Sequence, residues 1–136
     1  DCVIGSGDII GNATKFAGEV TVDDNAIISA NILCHQFCHI GGYVMVQGGS
    51  RFSMDIPPYI IVGKEPARYM GINLIGLRRR GFSNELIELI HNAYRILYGT
   101  GTRAENIQRI KSELQLTPEI QYIIDFVEAS ERGIIR

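Results

Sequence analysis

Apolar side chains recur every six residues from the start of the chain, at Ile4, Ile10, Phe16, Val22, Ile28, Cys34, Ile40, Val46 and Phe52. The run has no insertion. The next position is mostly small or polar: Gly5, Gly11, Ala17, Asp23, Ser29, Gly41 and Ser53. A second register, four residues after each apolar site, holds Asp8, Thr14, Val20, Ala26, Ile32, Cys38, Val44, Ser50 and Ile56. An α-helix, at about 3.6 residues per turn, carries position i+6 off any one face. A single strand has a period of two and is far shorter than this run. A chain that makes a short strand, turns and repeats fits both facts. Three such sides close a triangular coil, and stacked coils pair their strands in parallel about 4.8 Å apart. Residues 4–57 therefore predict three coils of a β-solenoid, in preference to a β-sandwich of irregular strands. Glycines of the small register are expected near the corners, to relieve the backbone. The register starts partway through a hexad, with Cys2 at its fifth position. The expectation is a solenoid entered mid-coil, as in a piece of a longer one.

Pro57 and Pro58 are expected to end the repeat, since neither donates to a ladder of strands. The division is a solenoid over 1–57, a connector over 58–81 and a helical domain over 82–136. Ser83 predicts the N-cap of a helix to about Tyr98, with Leu86, Leu89, Ile90, Ala93 and Leu97 on one face. Thr102 predicts a second helix to about Leu114, with Ile107, Ile110 and Leu114 inward. Thr117–Pro118–Glu119 predicts a third, carrying Ile120, Ile123, Ile124 and Val127 and closed by Gly133.

Composition narrows the classes. The hydrophobic share of 46% supports a buried core, and a formal net charge of −2 argues against bulk nucleic-acid binding. No apolar stretch is long enough for membrane insertion. Three cysteines, an odd number without a secretory signal, fit a reduced cytoplasmic setting. The cluster Cys34-His35-Gln36-Phe37-Cys38-His39 has a loose spacing for zinc. The hexad register instead makes both cysteines small interior residues, so no metal site is expected.

Two features suggest chemistry. Arg78–Arg79–Arg80, flanked by Gly76 and Gly81, reads as a turn that recognises phosphate or carboxylate. Asp1, Gly18 and His35 are spaced by 17 residues, close to one coil, so they should share a face of the solenoid. A carboxylate, an accessible backbone N–H and an imidazole together are ingredients of acyl transfer.

The stretches HQFCHIGGYVMVQGGS, DIPPYIIVG, GINLIGLRRRGFS and ASERGIIR extend this reading. Together they resemble the UDP-N-acetylglucosamine 3-O-acyltransferase family of lipid A synthesis, over the C-terminal half of its members. The resemblance implies a left-handed parallel β-helix of hexapeptide repeats followed by an α-helical domain. It implies a cytoplasmic homotrimer with active sites between subunits, acyl carrier protein and UDP-N-acetylglucosamine as partners, and no cofactor beyond the donor's phosphopantetheine. By the resemblance, a general-base histidine precedes Asp1, which orients it. Gly18 offers its N–H to the oxyanion. His35 and Gln36 contact the substrates, Gly48 sets acyl-chain length, and Asn73, Arg79 and Arg80 hold the UDP portion. Glu19 departs from a common histidine, and VGKEPAR departs from a more polar run, so no nucleotide-binding residue is carried over from it. Without the base, the 136-residue chain alone is expected to show no turnover. The alternatives are a metal enzyme of the carbonic anhydrase type, using His35, His39 and His91, and a non-catalytic solenoid.

Overall fold

The computed structural model describes residues 1–136. Nine two-residue strands open the chain: β1 (Val3–Ile4), β2 (Ile9–Ile10), β3 (Lys15–Phe16), β4 (Thr21–Val22), β5 (Ile27–Ile28), β6 (Leu33–Cys34), β7 (His39–Ile40), β8 (Met45–Val46) and β9 (Arg51–Phe52). Each pairs in parallel with the strand eighteen residues away, as in Val3 with Thr21 and Phe16 with Cys34. Three sheets result: β1-β4-β7, β3-β6-β9, and one that contains β2-β5-β8. We call them the first, third and second sheets, in the order in which the chain meets them.

Both apolar registers point inward. Val20 and Val22 are buried while Thr21 between them is not, and the same alternation recurs at Ile32–Cys34 and Val44–Val46. The second register, with Ala26, Ile32, Cys38, Val44, Ser50 and Ile56, is thus half of the interior. In the first coil Ile4 and Ile10 are 42% and 39% exposed.

The corners differ from the expectation. The left-handed residue falls three places after each of the first eight inward apolar residues, at Gly7, Ala13, Glu19, Asn25, Asn31, Phe37, Tyr43 and Gly49. Most of these carry a side chain; asparagine, at Asn25 and Asn31, tolerates this conformation best. The glycines of the small register answer a different need. A Cβ on Gly11 would lie 2.6 Å from the Ala30 nitrogen, and one on Gly41 2.5 Å from the Pro58 nitrogen. They are small because the neighbouring coil's backbone passes there.

The solenoid does not stop at Pro57–Pro58. Ile56 bridges to Ile40, and Ile61 pairs with Met45, an offset of sixteen residues in place of eighteen. The prolines mark a coil shortened by two residues. Strand β10 (Ile60–Gly63) adds to the second sheet, and β11 (Arg68–Ile72) returns antiparallel to it. The expected connector over 58–81 thus holds two strands and a helix, α1 (Leu74–Arg79). Arg78 and Arg79 form the last turn of α1 and Arg80 caps it, so the basic run ends a helix, where cations suit the dipole.

Helices α2 (Asn84–Leu97), α3 (Arg103–Glu113) and α4 (Pro118–Ala129) begin at Ser83, Thr102 and Thr117, whose hydroxyls accept N–H groups of the first turn. Helix α2 also buries Ile87 and Tyr94, because α1, α3 and α4 all contact it. Helix α4 ends at Ser130, before Gly133; the Gly133 carbonyl instead accepts the Asp55 N–H. The tail after α4 returns to the solenoid, where Asp55 bridges to Ile134. Tyr94 and Tyr98 hydroxyls donate to the carbonyls of Pro58 and Ile135. A single apolar core runs through the solenoid and the helices.

Candidate functional site

The edge between the third and first sheets gathers the first group of expected residues. Gly18 has φ +118°, which favours glycine, and its carbonyl accepts the Phe37 N–H. Its own N–H has no acceptor within the chain. The register pairs Phe16 with Cys34, so Gly18 lies level with Gln36 and Ala17 with His35. Gln36 Nε2 is 4.0 Å from where a Gly18 Cβ would stand. The expected alignment of Gly18 under His35 is thus off by one residue, because the coil repeats at eighteen. The register also brings Asp1, which is exposed, level with Glu19.

His35 is exposed, and its N–H donates to Phe52 one coil on. It lines a cavity of about 500 Å³ with Arg51, Ser53, Met54, Pro66 and Ile135. Arg51 and Ser53 were not singled out in the sequence. Arg51 occupies the outward slot of β9, and the register alone could have shown it beside the His35 column. Pro66 and Ala67 of the VGKEPAR segment also reach this cavity.

The remaining residues sit on other edges. Asn73 is 6% exposed and committed to its own chain. Its Nδ2 donates to the Tyr43 carbonyl at 3.0 Å, and its Oδ1 accepts the Gly76 N–H as the cap of α1. Its N–H donates to the Tyr59 carbonyl. These bonds anchor α1, and with it the exposed Arg79 and Arg80, at the edge between the first and second sheets. Gly48 lies on the edge between the second and third. Its φ is not left-handed, and a Cβ there meets only the Ala30 carbonyl oxygen at 3.3 Å and the Ser29 Cβ at 3.9 Å. The backbone does not demand glycine at Gly48.

A network on the first sheet was not legible in advance. His39 Nε2 bonds Asp23 Oδ1 at 2.7 Å, the Tyr122 hydroxyl donates to Asp23 Oδ2, and that hydroxyl accepts the Gly42 N–H at 2.8 Å. Burial pushes the Asp23 carboxyl up, but the bonds from His39 and Tyr122 outweigh it and hold it below its ordinary value. A depressed carboxylate stabilises the fold above its unfolded pKa, and that stabilisation is lost as pH falls through the folded value. Asp23→Asn is therefore expected to cost roughly 1–2 kcal/mol at neutral pH. The gap should close as pH falls below about 4. Urea denaturation of both proteins across that range checks it.

The three histidines stand apart. His39 is paired with Asp23 and packs on Phe126, His35 is on another edge, and His91 is on α2. No group of three or more His, Cys, Asp or Glu residues is placed to hold a metal ion. Cys34 and Cys38 are buried and unbridged. The neighbouring Cys38 thiol, and then burial, push the Cys34 thiol up, keeping it protonated.

Residues 55–135 match the family model described as UDP N-acetylglucosamine O-acyltransferase, domain 2. An acyl-[acyl-carrier-protein]–UDP-N-acetylglucosamine O-acyltransferase of Aliivibrio salmonicida is 41% identical over all of this chain and 52% of its own length. The chain thus spans about half the length of the curated relatives it matches. The crystal structure of a UDP-N-acetylglucosamine acyltransferase from Bacteroides fragilis is 64% identical, with a TM-score of 0.96 over 99% of this chain and 53% of that one. An Arabidopsis UDP-N-acetylglucosamine acyltransferase, 33% identical, reaches a TM-score of 0.93 over 100% of this chain and 51% of its own. The solenoid is the left-handed β-helix of these structures. On the family match and on identity across its full length, this chain belongs to the UDP-N-acetylglucosamine O-acyltransferase family.

Proposed function

We propose that the protein transfers a 3-hydroxyacyl group from acyl carrier protein to the 3-hydroxyl of UDP-N-acetylglucosamine, opening lipid A synthesis. The observation that carries this is the unpaired Gly18 N–H on an edge shared with Gln36, His35 and Asp1, in a chain of this family. The sugar oxygen attacks the thioester carbonyl while a histidine expected just before Asp1 takes its proton. Asp1 orients that base and favours its charged form. The tetrahedral oxyanion meets the Gly18 N–H. Collapse breaks the carbon–sulfur bond, and the pantetheine thiolate leaves and takes up the proton. His35 and Gln36 position the two substrates. No cofactor is needed beyond the donor's own phosphopantetheine.

Arg79 and Arg80 hold the diphosphate, and Asn73 serves them by fixing α1. Since α1 begins on a different edge of the solenoid from Gly18, a homotrimer completes the site with α1 of a neighbour. A stripe of Ile9, Ile27, Met45 and Ile61 faces outward on the second sheet, apolar enough for such an interface. No helix is long and apolar enough to cross a membrane, and we place the reaction in the cytoplasm.

Gly48 limits acyl length, since its missing side chain leaves space that the backbone does not require. The full-length protein, assayed with a ladder of 3-hydroxyacyl carrier proteins and UDP-N-acetylglucosamine, should acylate the sugar 3-hydroxyl. Gly48→Met should move the optimum to chains shorter by about a few carbons, since each methylene excluded from an apolar slot costs roughly 0.8 kcal/mol. Absence of acyl transfer by the unaltered protein overturns the function. An unchanged optimum overturns the role of Gly48.

A further inference from the structure

A second cavity of about 500 Å³ opens on the first sheet beneath α4. It shares no residue with the edge that carries Gly18 or with Arg79 and Arg80. Its walls include Asp23, Asp24, Tyr43, Tyr59 and Tyr122, and no lysine, arginine or histidine. Tyr59 is 3% exposed, yet its hydroxyl has no hydrogen-bond partner in the chain, whereas Tyr94, Tyr98 and Tyr122 all bond theirs. The ring is buried while the hydroxyl oxygen is not enclosed, so it opens into the cavity with its hydrogen-bonding capacity free for a ligand. The Tyr43 and Tyr59 rings stack at 5.7 Å, and Tyr122 stands edge-on to Tyr59 at 5.8 Å. Asp24 Oδ1 accepts the Ser6 N–H, and Oδ2 is unpaired. Asp23, bonded to His39 and Tyr122, retains lone pairs, since a carboxylate offers about four.

Two carboxylates without a basic residue repel phosphate and attract cations. Tyrosine rings attract an organic cation over a hydrated metal ion, and an unpaired phenol oxygen accepts from an N–H donor. We propose that this cavity binds a short primary alkyl diamine in its diammonium form. One ammonium donates to Asp24 and the Tyr59 oxygen, and the other lies toward Asp23 against the rings. The volume is in the ordinary range for a small-molecule site. The proposal does not depend on the acyl transfer reaction.

Calorimetric titration of the full-length protein with 1,4-diaminobutane, and with 1,4-butanediol as an uncharged molecule of the same length, tests it. Saturable one-to-one binding of the diamine is expected, at least about ten-fold tighter than the diol. Asp24→Asn should weaken it about ten-fold, the scale of a charged hydrogen bond. Tyr59→Phe should weaken it several-fold without lowering the melting temperature, because the hydroxyl has no partner to lose. Equal binding of diol and diamine, no saturable binding, or wild-type affinity in both variants overturns the proposal. Displacement of the diamine by UDP-N-acetylglucosamine overturns its separation from the transfer site.

Discussion

Asp55→Ala should destabilise the protein by about 3–5 kcal/mol, among the largest losses available from one side chain outside the apolar core. Asp55 is 5% exposed. Its Oδ1 accepts the His39 N–H at 2.8 Å, and its Oδ2 accepts the Ser130 hydroxyl at 2.6 Å. Its N–H donates to Gly133 and its carbonyl accepts from Ile135. The residue therefore ties the last full coil to the end of α4 and to the returning tail. Alanine keeps the two backbone bonds but leaves a main-chain donor and a largely buried hydroxyl without their acceptor in the chain. Asp55→Asn should cost markedly less, about 1–2 kcal/mol, since its oxygen still accepts from His39 and its amide still bonds the hydroxyl, which can accept. Urea denaturation of both variants, with an unchanged slope against denaturant, checks the order. Equal losses for the two would show that the charge, and not the pairing, holds this joint.

The solenoid was legible because its cause is local and repeated. Nine side chains at one spacing can be buried together in only one way, and the structure stacks them at eighteen residues. The helix starts were equally plain, because Ser83, Thr102 and Thr117 bond groups only three residues away. What the sequence hid depends on distance. Pro57–Pro58 reads as a stop, yet a shortened coil lets Ile61 rejoin the sheet beside Met45, which only the closed triangle reveals. Glycines at Gly11 and Gly41 read as corners, because a sequence records a missing side chain without saying whether φ or a passing backbone requires it.

The candidate site divides along the same line. Gly18 and Gln36 are brought together by the repeat itself, and an offset of eighteen in place of seventeen pairs them. Asn73 reads as a ligand-binding amide from resemblance. Its bonds to Tyr43 and Gly76, thirty and three residues away, give it the task of fixing α1. Asp23, His39 and Tyr122 could not be linked in advance, since the Tyr122–Asp23 bond spans 99 residues.

Two inactive variants are expected to restore activity when combined in one trimer. On the role proposed for Asp1, the full-length protein with Asp1→Asn should fail because asparagine would hold the base without favouring its charged form, the kind of change that lowers turnover by orders of magnitude. On the role proposed for the arginines, the double variant Arg79→Ala/Arg80→Ala should fail because the diphosphate would lose both guanidiniums, at least about a hundred-fold in kcat/KM. These residues lie on parts of the chain anchored at different edges of one solenoid, so each site in the proposed trimer draws Asp1 from one protomer and the arginines from its partner. Equal mixing then leaves a site intact only when the first protomer carries the arginine change and the second carries the aspartate change. Every trimer that contains both variants then has one intact site of three, about one third of wild-type activity. Co-expression of the variants under separate affinity tags, purification through both tags and assay of the mixed trimers measures this fraction. Activity no greater than that of the separate variants would place Asp1 and the arginines in the same protomer's site, and the trimer would then have no part in completing it.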